Sequence, residues 1–484
     1  MIVPESRLMT QPVRSEHDLL GDRAVPADAY YGIHTLRALE NFPITGTAIS
    51  IYADLVTALA CVKQAAAIAN CELGLLDDRR SVAVRLACEE IREGKLHEEF
   101  VVDVIQGGAG TSSNMNANEV ICNRALEILG HKKGEYQHLH PLDHVNLSQS
   151  TNDVYPTAVK LALQLGIKRL LTEMVALRQA FEVKAREFQD ALKVGRTQLQ
   201  DAVPMTLGQE FSTYAVMVGE DEQRLGEAAD LIREINLGAT AIGTGINAHP
   251  DYAPLVTRRL SEVSGVSFMT SPNLIEATQD AGAFVQLSGV LKRIAVKLSK
   301  ICNDLRLLSS GPRAGIGEIA LPAVQAGSSI MPGKVNPVIP EVVNQIAFEV
   351  IGNDMTVTMA AEAGQLQLNA FEPIIAHSLF KSLYHLAAGC RTLTDRCING
   401  ITANRERARR LLDESTALVT ALTPILGYAR STEIAREALA SGAKVLDLLL
   451  AKKLLTPEQL EQVLQPERLT KPHFSTVHKP KTKL

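Results

Sequence analysis

Apolar residues recur at alternating spacings of three and four along the middle of this 484-residue chain. The longest such run is Phe284, Leu287, Leu291, Ile294, Leu298, Ile301, Leu305 and Leu308. This spacing is typical of one buried helix face, and basic residues such as Lys292 and Lys300 lie off it. The pattern predicts a helix over about 276–308, which at about 1.5 Å per residue is roughly 50 Å long.

Similar periodicity predicts further helices over 156–188, 211–235 and 340–363, and a seam from Leu379 to Cys397 predicts another. Each of the helices at 156 and 340 opens with proline, which is tolerated in a first turn. Two short helices, 405–414 and 431–440, are predicted near the C-terminal end. Strand signals are few, and short strands are predicted only within 32–49 and 144–147.

These elements predict a mainly α protein with three domains. A mixed N-terminal domain covers 1–148, a central bundle of long helices covers 149–405, and a small helical domain with a basic tail covers 406–484. Helices this long cannot bury both faces in a small globule, so their outer stripes are expected to pack against other subunits. The tail at 471–484 contains four lysines and two prolines and is interpreted as a solvated extension.

Composition narrows the class of protein. Apolar residues make up 46% of the chain and charged residues 21%, as in soluble globular proteins, and no apolar run approaches the roughly 20 residues of a membrane span. The net charge of −5 argues against general binding to nucleic acid. Seven dispersed cysteines without a C-x-x-C pair predict buried thiols, a cytoplasmic location and no zinc site.

The most informative segment has the sequence GSSIMPGKVNP and begins at Gly327. It combines the hydroxyls of Ser328 and Ser329 with the ammonium of Lys334 and the carboxamide of Asn336. Its glycines permit close backbone approach, and its prolines prevent it from continuing a helix. Such a set favours recognition of a small carboxylate over an ordinary surface turn.

Three other segments mix neutral hydrogen-bonding side chains and are predicted to be loops at helix starts. They are QGGAGTSSNMN at 106–116, SQSTND at 148–153 and GRTQLQDAVP at 195–204. Structural interpretations stay open for each. The first can be a capping cluster, Asp153 in the second is the best cap for the helix that follows, and Arg196 and Asp201 in the third can form a salt bridge. The first segment lacks the G-x-x-x-x-G-K-[ST] pattern of a nucleotide-binding loop.

These motifs identify the chain as a member of the aspartase/fumarase superfamily, and it resembles the aspartases over nearly its whole length. The resemblance also rests on VPADAYYG at 25–32, HTLR at 34–37, GAGTSSNMNANEV at 108–120, PEVVNQ at 340–345 and AAEAGQLQLN at 360–369. It implies elimination of ammonia from L-aspartate to give fumarate. It also implies a homotetramer of three-domain subunits, with active sites that combine residues from three subunits.

The resemblance further implies a role for each candidate residue. Ser328 is the implied base, acting as an alkoxide that removes the β-proton. The implied contacts are Thr111, Ser150, Thr151 and Ser329 at the β-carboxylate, Lys334, Asn336 and Thr197 at the α-carboxylate, and Asn152 and Gln198 at the amino group. Arg37 is expected to add charge near the pocket. No cofactor or metal is required for this chemistry, although activation by a divalent cation such as Mg²⁺ is implied.

Two other functions stay open at the level of sequence. Class II fumarases share the signature segment, but they typically have histidine where this chain has Gln198, and the GAGTS sequence at 108–112 is more similar to aspartases. The second alternative is a structural protein that has lost catalysis, as lens crystallins of this superfamily have. It is weakened because every expected catalytic position is filled.

Overall fold

The fold is described by a computed structural model that covers residues 12–472, so most of the predicted basic tail lies outside the described residues. The chain divides into two compact units. The first unit comprises Met1–Leu171, Gln223–Ala295 and Phe348–Ala387, and the second comprises Thr172–Glu222, Val296–Ala347 and Ala388–Leu484. The three domain boundaries expected from the sequence remain a prediction. The prediction of a mainly α protein is confirmed.

The elements follow in chain order. The α-helices are α1 (Ile33–Asn41), α2 (Ala53–Glu72), α3 (Asp78–Arg92), α4 (Thr111–Ile128), α5 (Thr151–Glu187), α6 (Leu207–Leu231), α7 (Tyr252–Ser264), α8 (Leu274–Gln279), α9 (Gly282–Leu308), α10 (Val338–Glu362), α11 (Glu372–Arg396), α12 (Arg405–Glu414), α13 (Ala417–Leu426), α14 (Tyr428–Ser441), α15 (Val445–Ala451), α16 (Pro457–Val463) and α17 (Pro466–Thr470). The strands are β1 (Val13–Asp18), β2 (Gly21–Pro26), β3 (Leu192–Thr197), β4 (Gln200–Thr206), β5 (Glu234–Ile235), β6 (Met269–Thr270), β7 (Ile319–Ala320) and β8 (Thr402–Ala403). They form four two-stranded sheets, of which β1–β2 and β3–β4 are antiparallel hairpins. Within residues 12–472, no helix is both long and apolar enough to cross a membrane.

The core of the first unit is built around α2. This helix packs against α3, α4 and α7, and its side chains from Leu55 to Asn70 are almost all buried. Many of these side chains are alanines, which let neighbouring helices approach closely. A helix covered on all sides in this way explains how a chain without tryptophan fills its core.

The predicted seam of α9 is confirmed, because all eight of its apolar residues are buried. The helix is shorter than predicted, since it begins at Gly282 and the residues before it form the separate helix α8. Asp280 separates the two helices through its extended backbone, with φ of −80° and ψ of 129°. Its carboxylate accepts the N–H of Gly282 at 2.8 Å, which places a negative charge at the positive end of α9.

The helix predicted over 156–188 begins earlier, because α5 starts at Thr151 and contains Pro156. A proline there cannot donate a hydrogen bond to the carbonyl four residues before it, which belongs to Asn152. The side chain of Asn236 takes that place and donates Nδ2 to the Asn152 carbonyl at 3.0 Å. The helix therefore tolerates the proline because another segment of the first unit satisfies the carbonyl.

The strands predicted within 32–49 and 144–147 are wrong. The first segment contains α1, whose start is held by three backbone N–H bonds to the carboxylate of Glu119. The second overlaps a π-helical turn, Pro141–Val145, whose start is capped by the ring of His140. The other predicted helices are confirmed to within a few residues, and α12 matches its predicted bounds.

Candidate active site

The starts of α4 and α5 lie against each other in the first unit. Gly110, just before α4, has φ of +90°, and a Cβ there would lie 2.3 Å from the ring of Tyr155 in α5. Glycine is therefore needed for the left-handed backbone and for the close approach. Thr111 is the first residue of α4, and its hydroxyl donates to the Gly108 carbonyl at 2.7 Å. Two adjacent helix N-termini make this part of the unit suitable for an anion.

Ser150 caps α5, and Asp153 closes that cap from within the helix. Ser150 Oγ accepts the N–H of Asn152 at 3.2 Å, and Asp153 Oδ1 accepts the N–H of Ser150 at 2.9 Å. The other carboxylate oxygen of Asp153 accepts N–H bonds from Gly238 at 3.0 Å and from Thr240 at 2.9 Å. The prediction that Asp153 is itself the cap is therefore wrong, because its carboxylate takes the third position of a capping box.

A buried lysine, Lys63 of α2, belongs to the same polar cluster. Its ammonium donates to Asn146 Oδ1 and to Gln149 Oε1, both at 2.9 Å. Burial lowers the pKa of Lys63 to about 7 against the opposing effect of Asp153, and burial raises the pKa of Asp153 to about 6. The two charges thus offset part of each other's desolvation. Sequence analysis missed Lys63, although a charged residue within an alanine-rich helix was a visible signal.

Asn114 of α4 connects this cluster to a predicted site residue. Asn146 Oδ1 accepts hydrogen bonds from Asn114 Nδ2 at 3.2 Å and from Asn118 Nδ2 at 3.1 Å, in addition to that from Lys63. Asn114 Nδ2 also donates to Thr151 Oγ1 at 3.1 Å. Because Thr151 accepts this bond, the hydrogen of its own hydroxyl can be donated to a ligand.

Asn152 is also held by its side chain. Its Nδ2 donates to the carbonyl of Ala241 at 2.7 Å. The amide oxygen is therefore the atom that can accept a hydrogen bond from an ammonium group.

Arg37, in α1, is bound to Asp18. Its Nε and Nη2 donate to the two carboxylate oxygens at 2.7 Å each, and Nη2 also donates to the Gly21 carbonyl at 3.0 Å. The hydrogen bonds from Arg37 lower the pKa of Asp18 to about 2. Within the first unit Arg37 fastens the β1–β2 hairpin to α1, and its predicted contribution near substrate stays a prediction.

Thr197 and Gln198 lie at the tip of the β3–β4 hairpin of the second unit, so the prediction of a loop at a helix start is wrong here. Thr197 pairs with Gln200, and Gln198 and Leu199 form a two-residue turn with φ of +54° and +63°. Turns with two left-handed residues favour Asn-Gly, because the Cβ of most residues lies too close to the following carbonyl oxygen in that backbone. Strained backbone of this kind concentrates at functional sites. Thr197 and Gln198 are both exposed.

The buried carboxylate of Glu318 ties this hairpin to the chain ahead of the signature segment. Its Oε1 accepts a hydrogen bond from Arg196 Nη1 at 2.9 Å, and its Oε2 lies 3.0 Å from Lys193 Nζ. The alternative in which Arg196 forms a salt bridge with Asp201 is therefore wrong, since the guanidinium is bound by Glu318 instead. Both cations are on β3, so Glu318 holds the strand at residues that precede the exposed turn of the hairpin.

The signature segment closes on itself. The N–H of Gly327 donates to the Lys334 carbonyl at 2.9 Å, and Asn336 Nδ2 donates to the Gly327 carbonyl at 2.7 Å. A Cβ on Gly327 would lie 2.4 Å from the Lys334 oxygen, so only glycine permits this closure. The side chain of Lys334 is exposed beyond the closed end.

Ser328 is half-buried and receives two backbone hydrogen bonds. Its Oγ accepts the N–H of Ile330 at 3.2 Å and the N–H of Met331 at 2.9 Å. Two donors directed at one oxygen stabilise a negative charge on it. Ser329, the next residue, is exposed.

The predicted residues thus fall into groups within each unit. The first unit holds Thr111, Ser150, Thr151 and Asn152 around the starts of α4 and α5, and the second holds Thr197 and Gln198 at the hairpin tip and Ser328, Ser329, Lys334 and Asn336 in the signature segment. In the part of the chain that the structure describes, no hydrogen bond or ion pair joins the hairpin tip to the signature segment. The catalytic and binding roles of these residues stay predictions.

Metal-ligating side chains are grouped at one place among residues 12–472. His131, Glu135 and His138 are the only set of three or more His, Cys, Asp or Glu side chains close enough to hold an ion there. Mg²⁺ prefers oxygen ligands, so a set with two imidazoles does not fit it. The Mg²⁺ activation implied by the resemblance has no matching cluster in the described residues, and no catalytic step is assigned to it.

Comparison with known proteins identifies the family to which this chain belongs. Residues 21–352 match the family model described as lyase, and residues 418–471 match the model of the fumarase C C-terminus. The chain therefore belongs to the lyase family. Within that family, an aspartate ammonia-lyase from Pseudomonas fluorescens is 60% identical over 462 residues, which cover 95% of this chain and 97% of the relative. Further curated relatives of the same name are 52% to 59% identical.

Two solved structures share the fold. A Brucella melitensis protein, described as fumarate lyase:delta crystallin bound to cobalt, is 58% identical with a TM-score of 0.93 and covers 95% of this chain and 100% of its own. A class II fumarase from Schistosoma mansoni is 34% identical with a TM-score of 0.90 and covers 96% of this chain and 100% of its own. The backbone is thus common to both, while the sequence is closer to the aspartate ammonia-lyases than to this fumarase.

Proposed function

We propose that this chain is an aspartate ammonia-lyase, a carbon–nitrogen lyase that converts L-aspartate into fumarate and ammonia. The observation that carries the proposal is the 52% to 60% identity with curated aspartate ammonia-lyases over nearly the whole chain. The class II fumarase is related at only 34% identity. The signature segment supports the proposal further, since it supplies hydroxyls, an ammonium and a carboxamide suited to a small dicarboxylate.

Ser328 is proposed as the base. Its alkoxide takes the proton from the β-carbon, and the electron pair of that C–H bond moves into the β-carboxylate to give an aci-carboxylate dianion. The pair then returns to form the carbon–carbon double bond, while the bond from Cα to nitrogen breaks and ammonia leaves with its electrons. The two N–H bonds received by Ser328 Oγ support this role, because they stabilise the alkoxide before substrate arrives.

The β-carboxylate must be held more tightly as a dianion than in the substrate, because only such differential binding accelerates the reaction. Its proposed donors are Thr111, Ser150, Thr151 and Ser329. The first three lie at adjacent helix N-termini, which supports this role. Thr151 is also oriented by Asn114 so that its hydroxyl hydrogen can point at a ligand. Thr111 must give up its hydrogen bond to the Gly108 carbonyl before it can donate to the substrate. Donors fixed in advance need little reorganisation as the charge develops.

The α-carboxylate is proposed to bind Lys334, Asn336 and Thr197. Lys334 offers the positive charge, and Asn336 has a second Nδ2 hydrogen besides the one donated to Gly327. Asn152 and Gln198 are proposed to orient the amino group. The amide oxygen of Asn152 suits that role, because its Nδ2 is already bound to the Ala241 carbonyl.

We further propose a homotetramer in the cytoplasm, with active sites shared between three subunits. An apolar stripe on the first-unit part of α10 supports assembly, because Phe348, Met355 and Met359 are 62%, 61% and 65% exposed at helical spacing. Exposed side chains of this size on one helix face favour burial against another chain. The seven cysteines are all free, which fits a reducing compartment.

The proposal is tested by following the ultraviolet absorbance of fumarate after adding L-aspartate or L-malate to the pure protein. Fumarate from L-aspartate alone is the expected result, and sedimentation of the same sample should give the mass of four chains. Efficient turnover of L-malate instead would identify a fumarase. No turnover of either substrate by a folded tetramer would identify a structural member of the family.

A further inference from the structure

A second polar cluster of the first unit takes no part in the proposed chemistry. It consists of His131, Glu135 and His138, whose potential ligand atoms all lie within 4.8 Å of one another. His131 Nδ1 is 3.6 Å from Glu135 Oε2, and the rings of His131 and His138 lie nearly parallel with centroids 3.8 Å apart. We propose that these three side chains bind a transition-metal dication of the Zn²⁺ type, contrary to the expectation of no zinc site, which rested on the cysteines alone.

The donor set selects the class of metal. Two imidazoles and one carboxylate suit Zn²⁺, Co²⁺ and Ni²⁺, whereas Mg²⁺ and Ca²⁺ prefer oxygen ligands alone. Metal–ligand bonds of about 2.1 Å hold neighbouring ligand atoms roughly 3.0–3.4 Å apart in octahedral or tetrahedral geometry. The ligand atoms lie at most 4.8 Å apart, so binding one ion requires them to approach one another by up to roughly 1.8 Å. Three protein ligands leave further positions of the ion to water.

The backbone that carries the ligands is fixed to the rest of the first unit. The N–H of Gly134 donates to Asn123 Oδ1 at 2.8 Å, and the hydroxyl of Tyr136 donates to Glu16 Oε1 at 3.0 Å. Leu139, next to the last ligand, is fully buried. These anchors alternate with the ligands along the chain, so the metal does not have to order a loose loop when it binds.

The surrounding charges are compatible with a cation. His131 follows the C-terminal end of α4, where its N–H donates to the Leu126 carbonyl at 2.8 Å, and the helix dipole is negative at that end. Two neighbouring cations are directed at backbone carbonyls. Arg80 Nε donates to the carbonyl of His138 at 2.8 Å, and Lys133 Nζ donates to that of Asp28 at 2.5 Å.

The test uses the full-length, untagged chain after removal of metals with a chelator. Calorimetric titration with ZnCl₂ should show one site per chain with a Kd on the order of micromolar, and bound Zn²⁺ should raise Tm because only the folded chain brings the three ligands together. His131→Gln, Glu135→Gln and His138→Gln should each weaken binding by at least about tenfold. A roughly thousandfold excess of Mg²⁺ should not displace Zn²⁺.

His17→Gln is the matched control. His17 Nδ1 lies 2.7 Å from Asp22 Oδ1, so it forms an exposed histidine–carboxylate pair, but this pair is not part of a three-ligand group. The control should bind Zn²⁺ like the parent chain, and all four variants should keep the parent rate with L-aspartate, which shows that they are folded. Unchanged Zn²⁺ affinity in the three ligand variants, or an equal loss in His17→Gln, would overturn the proposal. Displacement by Mg²⁺ would overturn the assigned class of metal.

Discussion

The predicted site residues of the first unit are hydrogen-bonded to buried core residues, whereas those of the signature segment are hydrogen-bonded mainly within the segment itself. Thr151 accepts a hydrogen bond from Asn114, and Asn114 also donates to Asn146, which is held in turn by the fully buried Lys63. Ser328, by contrast, lies in a largely exposed segment whose hydrogen bonds come from its own backbone and from Asn336. One group is supported by the core of its unit, and the other is supported mainly by itself.

The difference matches the proposed division between residues that bind the substrate and the residue that takes its proton. Buried polar groups that are hydrogen-bonded to one another hold a donor in place before the ligand binds, so little ordering remains to oppose binding. A segment with few buried contacts opens at low cost in free energy, which suits a loop that closes over substrate and excludes water. We expect substitutions in the two regions to differ in what they change, and the following experiments measure that difference.

The largest effect is expected from Ser328→Ala. Loss of the base should lower kcat by about 10²- to 10⁴-fold, while the affinity for substrate and Tm stay near the parent values because no carboxylate contact is removed. The measurement is steady-state fumarate production together with thermal unfolding.

Ser309→Ala is the matched control for that experiment. Its hydroxyl donates to the Arg306 carbonyl at 3.2 Å, and it is not among the proposed site residues. It should leave kcat close to the parent value. If Ser328→Ala retains most of its kcat, another residue takes the proton.

Lys334→Met should act mainly on KM. Removing the charged partner of a bound carboxylate costs about 2–5 kcal/mol, or roughly 30- to 5,000-fold in kcat/KM. Because Lys334 is exposed, Tm should not change, and Lys334→Arg should recover part of the affinity by restoring the charge. A KM equal to that of the parent would place Lys334 outside the site.

Asn114→Ala and Asn118→Ala separate orientation of Thr151 from simple packing. Both amides donate to Asn146 Oδ1, but only Asn114 reaches Thr151. Both variants should lower Tm. Only Asn114→Ala should also lower kcat/KM, by roughly 2- to 13-fold for one hydrogen bond of about 0.5–1.5 kcal/mol. Equal losses of kcat/KM in the two variants would show that the buried network stabilises the fold and that Asn114 has no separate effect through Thr151.

Gln198→His tests whether the hairpin tip alone determines the reaction. The new imidazole should add a titration between about pH 5 and 8 to the profile for L-aspartate. It should not produce efficient dehydration of L-malate, because specificity is shared among several segments. Gln200→His, an exposed change on the other side of the turn, is the control. Rapid turnover of L-malate by Gln198→His would make this position the specificity switch.

The smallest effect is expected from Asp18→Asn, and it depends on pH. The Arg37 guanidinium lowers the pKa of Asp18 from 3.8 to about 2, so the folded state holds this carboxylate ionised more firmly than the unfolded state does. The stability it contributes is complete above about pH 4 and is lost as pH falls toward 2. The difference in Tm between parent and variant should therefore be smaller at pH 3 than at pH 5. An equal difference at both pH values would rule out this pair as the cause, and Asp22→Asn is the exposed control.

Periodicity predicted the long helices because their stability comes from one buried stripe, and the stripe of α9 is visible in the sequence alone. Helix ends were harder to predict, because several are fixed by distant side chains. Glu119 holds the start of α1, and Asn236 satisfies the carbonyl that Pro156 leaves without a donor. Such partners are more than 80 residues away in the sequence, so no local pattern contains them.

The sequence indicated which residues are candidates for the site, but it did not indicate which buried residues hold them in place. Hydroxyls and amides clustered in the sequence marked Ser150 and Ser328, since those residue types are rarely grouped without a reason. Lys63 and Glu318 escaped notice because each is a single charged residue in an otherwise apolar or glycine-rich stretch. Their importance arises from burial, which is a property of the folded chain.

Glu318 allows the turn residues of the β3–β4 hairpin to be substituted in protein engineering without changing the residues that attach the hairpin. The carboxylate fastens β3 at Lys193 and Arg196, so the residues that attach the strand are separate from Gln198 and Leu199, which form its turn. A library that varies only the codons of Gln198 and Leu199 places new side chains at the turn while Glu318, Lys193 and Arg196 stay unchanged. Because Gln198 is proposed to orient the amino group, selections for other amino acid substrates should begin there, with Lys193, Arg196 and Glu318 left unchanged.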